Sequence, residues 1–513
     1  MNPGNAEAIY QDLSELYAAI EPPTWALILA ESCRHWGAEV GILDANAERL
    51  TPEVAAARIE ELDPRLVCFV TYGQNVNAGI VSMSGAVLTA EALRATGSTS
   101  VISVIGSYVQ ALPLKALRDE PAFDFAFVNE GVYALRDVLN LKGLTVEDLL
   151  TVPGLAVRTS SGEAVMTGPG TVVPNSRMDE DMPGYAWDLL PQRVRPFDLY
   201  RSPLWHAGYD PGARTPYAAI QTSLGCNFGC SFCMINIINR SDDAEVAVAS
   251  NYRVMRFWSP EFALRQFDVL ADYGVRTIRI VDEMFLLNRK YFVPLCEELA
   301  RRPYAPELRM WAYSRIDTIR DPELLRLIRS AGIRWLALGI ESASREVRLE
   351  VSKGKFEDVD VEKAIAQVHD ADIDVMANYI VGLPGDTHES MALTMDLALE
   401  LSTCGWNMYP AMALPGSELY ALALESGMTV PQDYVEFSFH AYETVPMRTD
   451  HLSEAEITRF RDEAFNRYHT DAGVLDRIQA RYGPDARQHV LDMTKIQLRR
   501  RVVDEALPSD RAD

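Results

Sequence analysis

The fold of this chain is decided by the stretch SLGCNFGCSFCMI, residues 223–235, which places three cysteines in the spacing C-x-x-x-C-x-x-C. Thiolates are the usual ligands of iron–sulfur clusters, and Cys226, Cys230 and Cys233 could hold three irons of a [4Fe–4S] cubane. The fourth iron would then lack a protein ligand and could bind a small molecule through an amine and a carboxylate. Gly225 and Gly229 let the backbone curl closely around such a site.

A structural zinc ion is the main alternative for these cysteines, and it normally requires four ligands. No fourth cysteine or histidine lies within the usual short spacing, so Cys296, Cys404 or His206 would have to approach in three dimensions. The chain has seven cysteines, an odd number. That count and the clustering of three of them argue against a disulfide framework and favour a metal site in a reducing compartment.

The charge of the chain narrows the class of partner. Its 513 residues include 48 basic and 73 acidic ones, for a net charge of −25, which argues against electrostatic binding of nucleic acid. The sequence lacks an apolar run of about 18 residues, so no transmembrane helix is expected, and its N-terminus does not resemble a secretory signal. We therefore expect a cytoplasmic protein with a small-molecule substrate and no nucleic-acid or membrane partner.

Around the cysteines, strand and helix patterns alternate over residues 206–425. The six strand candidates are YAAIQTSLG, VRTIRIVDE, LRMWAYSR, IRWLALGIES, DVMANYIVGLPG and WNMYPAMALPG. Six such units predict a partial (β/α)6 TIM-type barrel, because a closed barrel needs eight. The chemistry should lie at the C-terminal ends of the strands.

The remaining segments predict a second α/β unit and two accessory regions. The strand candidates EVGILD (39–44), RLVCFVTYG (65–73), TSVISVIG (99–106) and FDFAFVNEG (123–131) predict a doubly wound, Rossmann-like domain over residues 1–145. Residues 146–205 are rich in Pro, Gly and Asp, which predicts a linker with a small hairpin. Residues 426–513 begin with an aromatic, irregular stretch and continue as a mainly helical cap region.

The cysteine loop after the first barrel strand resembles the signature of the radical S-adenosylmethionine superfamily, and the resemblance covers about residues 215–425. It implies that Cys226, Cys230 and Cys233 bind a [4Fe–4S] cluster that cleaves S-adenosylmethionine to a 5′-deoxyadenosyl radical. An external one-electron reductant of the flavodoxin or ferredoxin type would supply the electron. The cofactors would carry this chemistry, and the protein would orient them and exclude water.

The resemblance also implies S-adenosylmethionine contacts at the later strand ends. VDEMF (281–285) would hold the methionine amino group, YSRID (313–317) the carboxylate or ribose, GIES (339–342) the ribose, and NYIVGLPG (378–385) the adenine. The implied residues are Phe232, Asp282, Glu283, Ser314, Arg315, Glu341, Ser342, Asn378 and Val381. A cation at the amino-group position favours carboxylates, which suits the acidic pair.

The N-terminal domain resembles the cobalamin-binding domain of one subgroup of this superfamily, through TYGQNVNAG (71–79), GSYVQALP (106–113) and VNEGVYAL (128–135). The implied cobalamin contacts are Tyr72, Gly73, Gln74, Asn75, Asn77, Gly106, Ser107, Tyr108, Glu130, Gly131 and Val132. The D-x-H-x-x-G motif of other cobalamin proteins is missing, and no histidine lies between His35 and His206. Both a bound cobalamin and a domain that kept the fold but lost the cofactor remain open.

The resemblance implies a class B-like radical methyltransferase that methylates an unactivated carbon of a small metabolite. The alternatives are a cobalamin-independent radical dehydratase or deoxygenase of a sugar-like diol, a radical ring rearrangement or cyclisation, and a non-catalytic cobalamin or iron–sulfur sensor. Tyr409 and His440 are candidates for the substrate pocket, although aromatic residues there are more often packing than recognition. The sequence identifies no general base.

Overall fold

The computed structural model of the chain describes residues 1–4, 9–15, 17–72, 76–203, 214–319, 321–351 and 359–506. These residues form one five-stranded sheet, one six-stranded sheet and one two-stranded sheet, with helices between them. In this described part, no helix is both long and apolar enough to cross a membrane.

The five-stranded sheet belongs to the N-terminal half. Its strands, in spatial order, are β1 Leu66–Thr71, β2 Val101–Gly106, β3 Phe125–Phe127, β4 Leu155–Arg158 and β5 Ala164–Met166. The first three strands are parallel, whereas β4 and β5 are antiparallel additions. Buried apolar residues fill the three central strands, as expected for a sheet covered on both faces. The Rossmann-like prediction is therefore confirmed, with an antiparallel extension.

Two details of the N-terminal half differ from expectation. Residues 39–44 do not form a strand, and only Asp44 makes an isolated bridge, to Asn2. The Asp44 carboxylate instead caps a short helix by accepting a 3.0 Å hydrogen bond from Ala47 N, and helix capping is a role that aspartate favours over a strand position. The hairpin expected in the linker exists as β4–β5, but it pairs with β3 and so extends the N-terminal sheet.

The six-stranded sheet is the partial barrel. Its strands, in spatial order, are β6 Tyr217–Ile220, β9 Thr277–Ile280, β10 Arg309–Arg315, β11 Ile333–Glu341, β12 Asp374–Val381 and β13 Gly405–Pro410. Every pairing is parallel. All six predicted strands are confirmed. A small antiparallel pair, β7 Ser223–Leu224 and β8 Arg256–Phe257, flanks the cysteine loop.

Helices connect these strands and build the C-terminal region. In the N-terminal half the helices are Thr24–His35, Ala45–Glu48, Pro52–Leu62, Ser82–Ala95, Ser107–Ala111, Pro113–Asp119, Val132–Leu139, Val146–Leu149 and Met178–Asp181. In the barrel they are Pro260–Asp272, Arg289–Ala300, Pro322–Ser330, Arg345–Val351, Val361–Asp370, His388–Leu401 and Glu418–Glu425. The C-terminal helices are Glu454–Thr470, Ala472–Tyr482, Pro484–Met493 and Arg501–Ala506. The expected mainly helical C-terminal region is therefore confirmed.

Candidate active site

The cysteine loop begins directly after β7 and is shaped by one glycine and one asparagine. Gly225 adopts a φ of +80°, and a Cβ at this position would lie 2.2 Å from the Val254 carbonyl oxygen, so only glycine fits. The Asn236 side chain then forms two hydrogen bonds with the loop. Its Oδ1 accepts a 2.8 Å hydrogen bond from Cys226 N, and its Nδ2 donates a 3.2 Å bond to the Phe228 carbonyl. The sequence alone did not single out Asn236.

The three thiols lie in a low-polarity environment. Burial raises the pKa of Cys226 to about 11 and that of Cys230 to about 12, and the pKa of Cys233 rises further. A metal must therefore supply the positive charge that keeps them as thiolates. Within the described residues, no three His, Cys, Asp or Glu side chains converge closely enough to hold one metal ion. Three cysteines in one loop are the ligand set that a cubane requires, with each thiolate on a different iron.

Asp282 lies at the end of β9 and is 1% exposed. Its carboxylate accepts hydrogen bonds from Thr222 N (2.6 Å), Thr222 Oγ1 (2.6 Å) and Ser223 Oγ (2.7 Å). These bonds tie the β9 end to the segment that leads into the cysteine loop. The expected contact of Asp282 with a methionine amino group stays a prediction.

Glu283, the second member of the acidic pair, differs from Asp282 in its electrostatic environment. The pKa of its carboxyl is raised to about 8, chiefly by burial and also by the charge of the neighbouring Asp282, while Arg279 opposes the shift. The negative charge of Glu283 acts on Cys226 and Cys233. Glu283 is therefore the carboxyl group beside the cysteines that a cationic ligand would stabilise.

The end of β10 places Arg315 against the cysteine loop. The guanidinium lies 3.8 Å from the centroid of the Phe228 ring and donates to Asp317 through Nε at 2.7 Å and Nη2 at 2.5 Å. It also interacts with the Cys230 thiol. Ser314, the other candidate on this strand, shares a 2.8 Å hydrogen bond with Thr318.

The end of β11 is irregular at Glu341, which adopts a φ of +66° and interrupts the pairing with β12. A non-glycine residue in this conformation is strained, and such strain concentrates at functional sites. Burial raises the pKa of Glu341 to about 7, and Arg315 partly opposes the shift. Ser342 is fully buried, and its hydroxyl bonds to Thr394 at 3.2 Å and accepts from Ser344 N at 3.1 Å. Its expected ribose contact stays a prediction.

The remaining S-adenosylmethionine candidates lie around β12. Asn378 Oδ1 accepts a 3.0 Å hydrogen bond from Asn407 Nδ2, and Val381 is fully buried at the strand end. Phe232 packs against the apolar cluster that includes Leu383 and Ala411. The aromatic ring of the cysteine loop and the β12 end are thus neighbours, as an adenine site between them would require.

The candidate cobalamin residues are mostly engaged by the protein itself. Gly73, Gln74 and Asn75 lie outside the described residues. Tyr72, Gly106, Ser107, Tyr108, Glu130, Gly131 and Val132 are all buried. The close packing needs the two glycines, because a Cβ on Gly106 would lie 2.1 Å from Thr71 Oγ1 and one on Gly131 would lie 2.4 Å from Ile105 Cδ1.

Two buried polar atoms beside these loops have no hydrogen-bond partner in the described part of the chain, Ser107 Oγ and Gln110 Oε1. Buried polar atoms normally have partners. Both lie on the helix that follows β2, where a ligand of an open α/β sheet binds. The amide side chains of a corrin could supply the missing partners, so these residues fit the cofactor that the resemblance implies.

The barrel interior holds a second polar cluster near the C-terminal region. The rings of Tyr409 and Phe439 lie 5.1 Å apart, and His440 adjoins Phe439. Arg461 lies over the Phe439 ring at 5.2 Å. Burial lowers the pKa of His440 well below its usual range, and the charges of Arg461 and Arg500 add to the shift. The structure thus brings the two substrate candidates together beside a buried cation that sequence reasoning missed.

Comparisons with known proteins agree with this geometry. Residues 220–398 match the radical SAM superfamily. An uncharacterized methyltransferase of Pyrococcus horikoshii is 22% identical over 462 residues, which cover 88% of this chain and 89% of the relative. The anaerobic magnesium-protoporphyrin IX monomethyl ester cyclase of Cereibacter sphaeroides is 25% identical over 397 residues, which are 76% of this chain and 58% of the cyclase.

A solved structure shares the fold over nearly the whole chain. The radical S-adenosylmethionine methyltransferase TsrM from Kitasatospora setae, with cobalamin and a [4Fe–4S] cluster bound, superposes with a TM-score of 0.62 at 15% identity. The match covers 93% of this chain and 98% of TsrM. Residues 220–398 therefore form a radical SAM domain, and enzymes of that superfamily use a [4Fe–4S] cluster and S-adenosylmethionine.

Proposed function

We propose that this enzyme is a cobalamin-dependent methyltransferase that acts on an unactivated carbon of a small metabolite. The observation that carries the proposal is the arrangement of the N-terminal domain, whose strand-end loops lie against the segment that directly follows the cysteine loop. Glu130 N donates a 3.2 Å hydrogen bond to the Ile238 carbonyl, and Asn129 Nδ2 donates a 3.3 Å bond to the Arg240 carbonyl. A corrin on those loops would face the ligand of the open iron.

The cluster, when bound to Cys226, Cys230 and Cys233, supplies the electron that cleaves S-adenosylmethionine. Cobalamin, when bound, supplies the methyl group that the substrate receives. An external one-electron reductant, of the flavodoxin or ferredoxin type, would feed the cluster.

The protein's own residues would bind and orient S-adenosylmethionine. The Glu283 carboxylate would hold the methionine amino group, because a cation there offsets the cost of burying the carboxylate. Glu341 would accept hydrogen bonds from the ribose, and Phe232 would contact the adenine. Asp282 would act indirectly, since its bonds to Thr222 and Ser223 fix the segment before the cysteine loop. The buried walls would exclude water from the radical.

The substrate would lie beside Tyr409, His440 and Arg461. Arg461 is 7% exposed, and its one carboxylate partner, Asp462, is also gripped by Arg500 at 2.7 and 2.8 Å. Two buried cations therefore share one anion in the described structure. The excess charge favours a substrate with a carboxylate or another anionic group, and the aromatic rings favour an apolar or aromatic body.

The test is anaerobic reconstitution with iron, sulfide and hydroxocobalamin, followed by cofactor extraction and incubation of a metabolite pool with S-adenosylmethionine labelled in its methyl group. About one corrin per chain and a labelled methyl on a carbon of a metabolite support the proposal. A cluster without corrin would contradict it. That result would favour the dehydratase, deoxygenase or ring-forming alternatives.

A further inference from the structure

Asn77 connects the N-terminal domain to a cluster-binding cysteine. It lies in the short turn Val76–Ala78, which follows β1 and packs against the turn Ile235–Asn239 after the cysteine loop. Its Oδ1 accepts a 3.0 Å hydrogen bond from Met234 N, and its Nδ2 lies 3.8 Å from Cys233 Sγ. The side chain thus contacts two consecutive residues of the loop.

The orientation of the amide follows from the chemistry of its partners. A backbone N–H can only donate, so the group that faces Met234 N must be the carbonyl oxygen. The amide nitrogen is then directed at the sulfur, as a donor. A thiolate is a better acceptor than a thiol, and this bond would strengthen once Cys233 is bound to iron.

We propose that Asn77 is a positioning residue that raises the reduction potential of the cluster by donating a hydrogen bond to the Cys233 thiolate. Reduction adds negative charge to the cluster and its sulfurs. A donor aimed at a sulfur stabilises that added charge, and hydrogen bonds to sulfur are among the determinants of cluster potential. The inference rests on the proposed ligation of the cluster by Cys233.

The location of the donor gives this contact a second consequence. Asn77 comes from the domain opposite the barrel, on the same strand-end loop as the candidate cobalamin contact Tyr72. The cluster potential therefore depends on the distance between the Asn77 amide and the Cys233 sulfur, and a shift of the turn Val76–Ala78 would change it.

The test compares two variants of the full chain, each reconstituted anaerobically, by redox titration monitored with electron paramagnetic resonance. Asn77→Asp keeps an acceptor for Met234 N but removes the N–H donor, whereas Asn77→Ala removes both. Asn129→Ala is the matched control, because Asn129 also links the domains, through the Arg240 carbonyl at 3.3 Å, without contacting a cysteine.

The expected result is a more negative midpoint potential in both Asn77 variants, with iron and sulfide content as in the wild type. The Asn129→Ala potential should remain at the wild-type value. An unchanged potential in Asn77→Asp would overturn the inference, as would an equal shift in Asn129→Ala. Cys233→Ala tests the ligand assignment separately. If Cys233 does not bind the cluster, this variant will keep an intact cluster, and the ligand assignment will have failed independently of the role of Asn77.

Discussion

Glu130 of the N-terminal domain and Arg256 of β8 form an ion pair in which Glu130 Oε2 accepts a 2.6 Å hydrogen bond from Arg256 Nη2. The two side chains are 0% and 3% exposed. Glu130 Oε1 also accepts from Val173 N, and Asn239 Oδ1 accepts a 2.8 Å hydrogen bond from the same guanidinium. The family resemblance implied that Glu130 contacts cobalamin, which stays a prediction, and the structure shows that Glu130 also joins the two domains next to the cysteine loop.

Removing one partner of this ion pair should destabilise the folded protein. We expect Glu130→Ala to lower the free energy of unfolding by about 3–5 kcal/mol, because it leaves a buried guanidinium without its counter-charge. Chemical denaturation measures the change. Asp119→Ala is the control, since Asp119 pairs with Lys115 at the surface and such pairs contribute roughly 0–1 kcal/mol. Equal losses in the two variants would show that the interdomain pair has no special role.

The two acidic residues at the β9 end should behave differently. We expect Glu283→Gln to weaken S-adenosylmethionine binding roughly tenfold or more, equivalent to about 1.4 kcal/mol, with stability retained. Asp282→Ala should instead lower stability and cluster retention, because it releases Thr222 and Ser223. Binding to the reconstituted protein and denaturation midpoints separate the two effects. Loss of binding in Asp282→Ala with full stability and a full cluster would restore its expected role as a direct ligand.

The raised pKa of Glu283 predicts a pH dependence of the ligand-free protein. Its folded pKa of about 8 lies above the ordinary value, so the folded state binds the proton more tightly than the unfolded state does. Stability should therefore fall as the pH rises from about 4.5 to about 8 and level off above that. Glu283→Gln should remove at most about 5 kcal/mol of this fall in stability, because the shift spans about 3.5 pKa units and each unit is worth about 1.4 kcal/mol. An identical slope in the variant and the wild type would contradict the shift.

Arg461 and Arg500 offer a matched pair for the substrate site. We expect Arg461→Gln to leave the ligand-free stability unchanged or increased, because it relieves an excess buried charge, while methyl transfer to the metabolite is lost. Arg500→Gln should destabilise the protein, because it breaks the two-point contact with Asp462. Denaturation and transfer of the labelled methyl group measure the two effects. Equal destabilisation by both variants would assign Arg461 to structure alone.

The partial barrel could be predicted from the sequence because its signals are local. Each of the six strands is a short apolar run, and the glycines and acidic residues at its end lie within a few positions of it. The helix Pro52–Leu62 likewise shows its start in the sequence, as Thr51 caps it and proline opens it. The strand expected at 39–44 failed because Asp44 caps the next helix, a competition that the apolar pattern does not reveal.

The long-range pairs could not be predicted. Asn77 and Cys233 are 156 residues apart, and Glu130 and Arg256 are 126 apart, so no spacing in the sequence joins them. The cysteines were found because a cluster needs several thiolates within one loop. The roles of Asn236 and Arg461 depend on which backbone groups and charges face them, and only the folded chain shows that.

The most direct test of the central claim is the iron and acid-labile sulfide content, with the absorption spectrum, of the anaerobically reconstituted wild type and of Cys226→Ala, Cys230→Ala and Cys233→Ala. The account predicts about four irons and four sulfides per wild-type chain, a spectrum that changes when S-adenosylmethionine is added, and loss of the intact cluster in each variant. A wild type that binds one zinc ion and no sulfide, or a Cys230→Ala variant that keeps a full cluster, would contradict it.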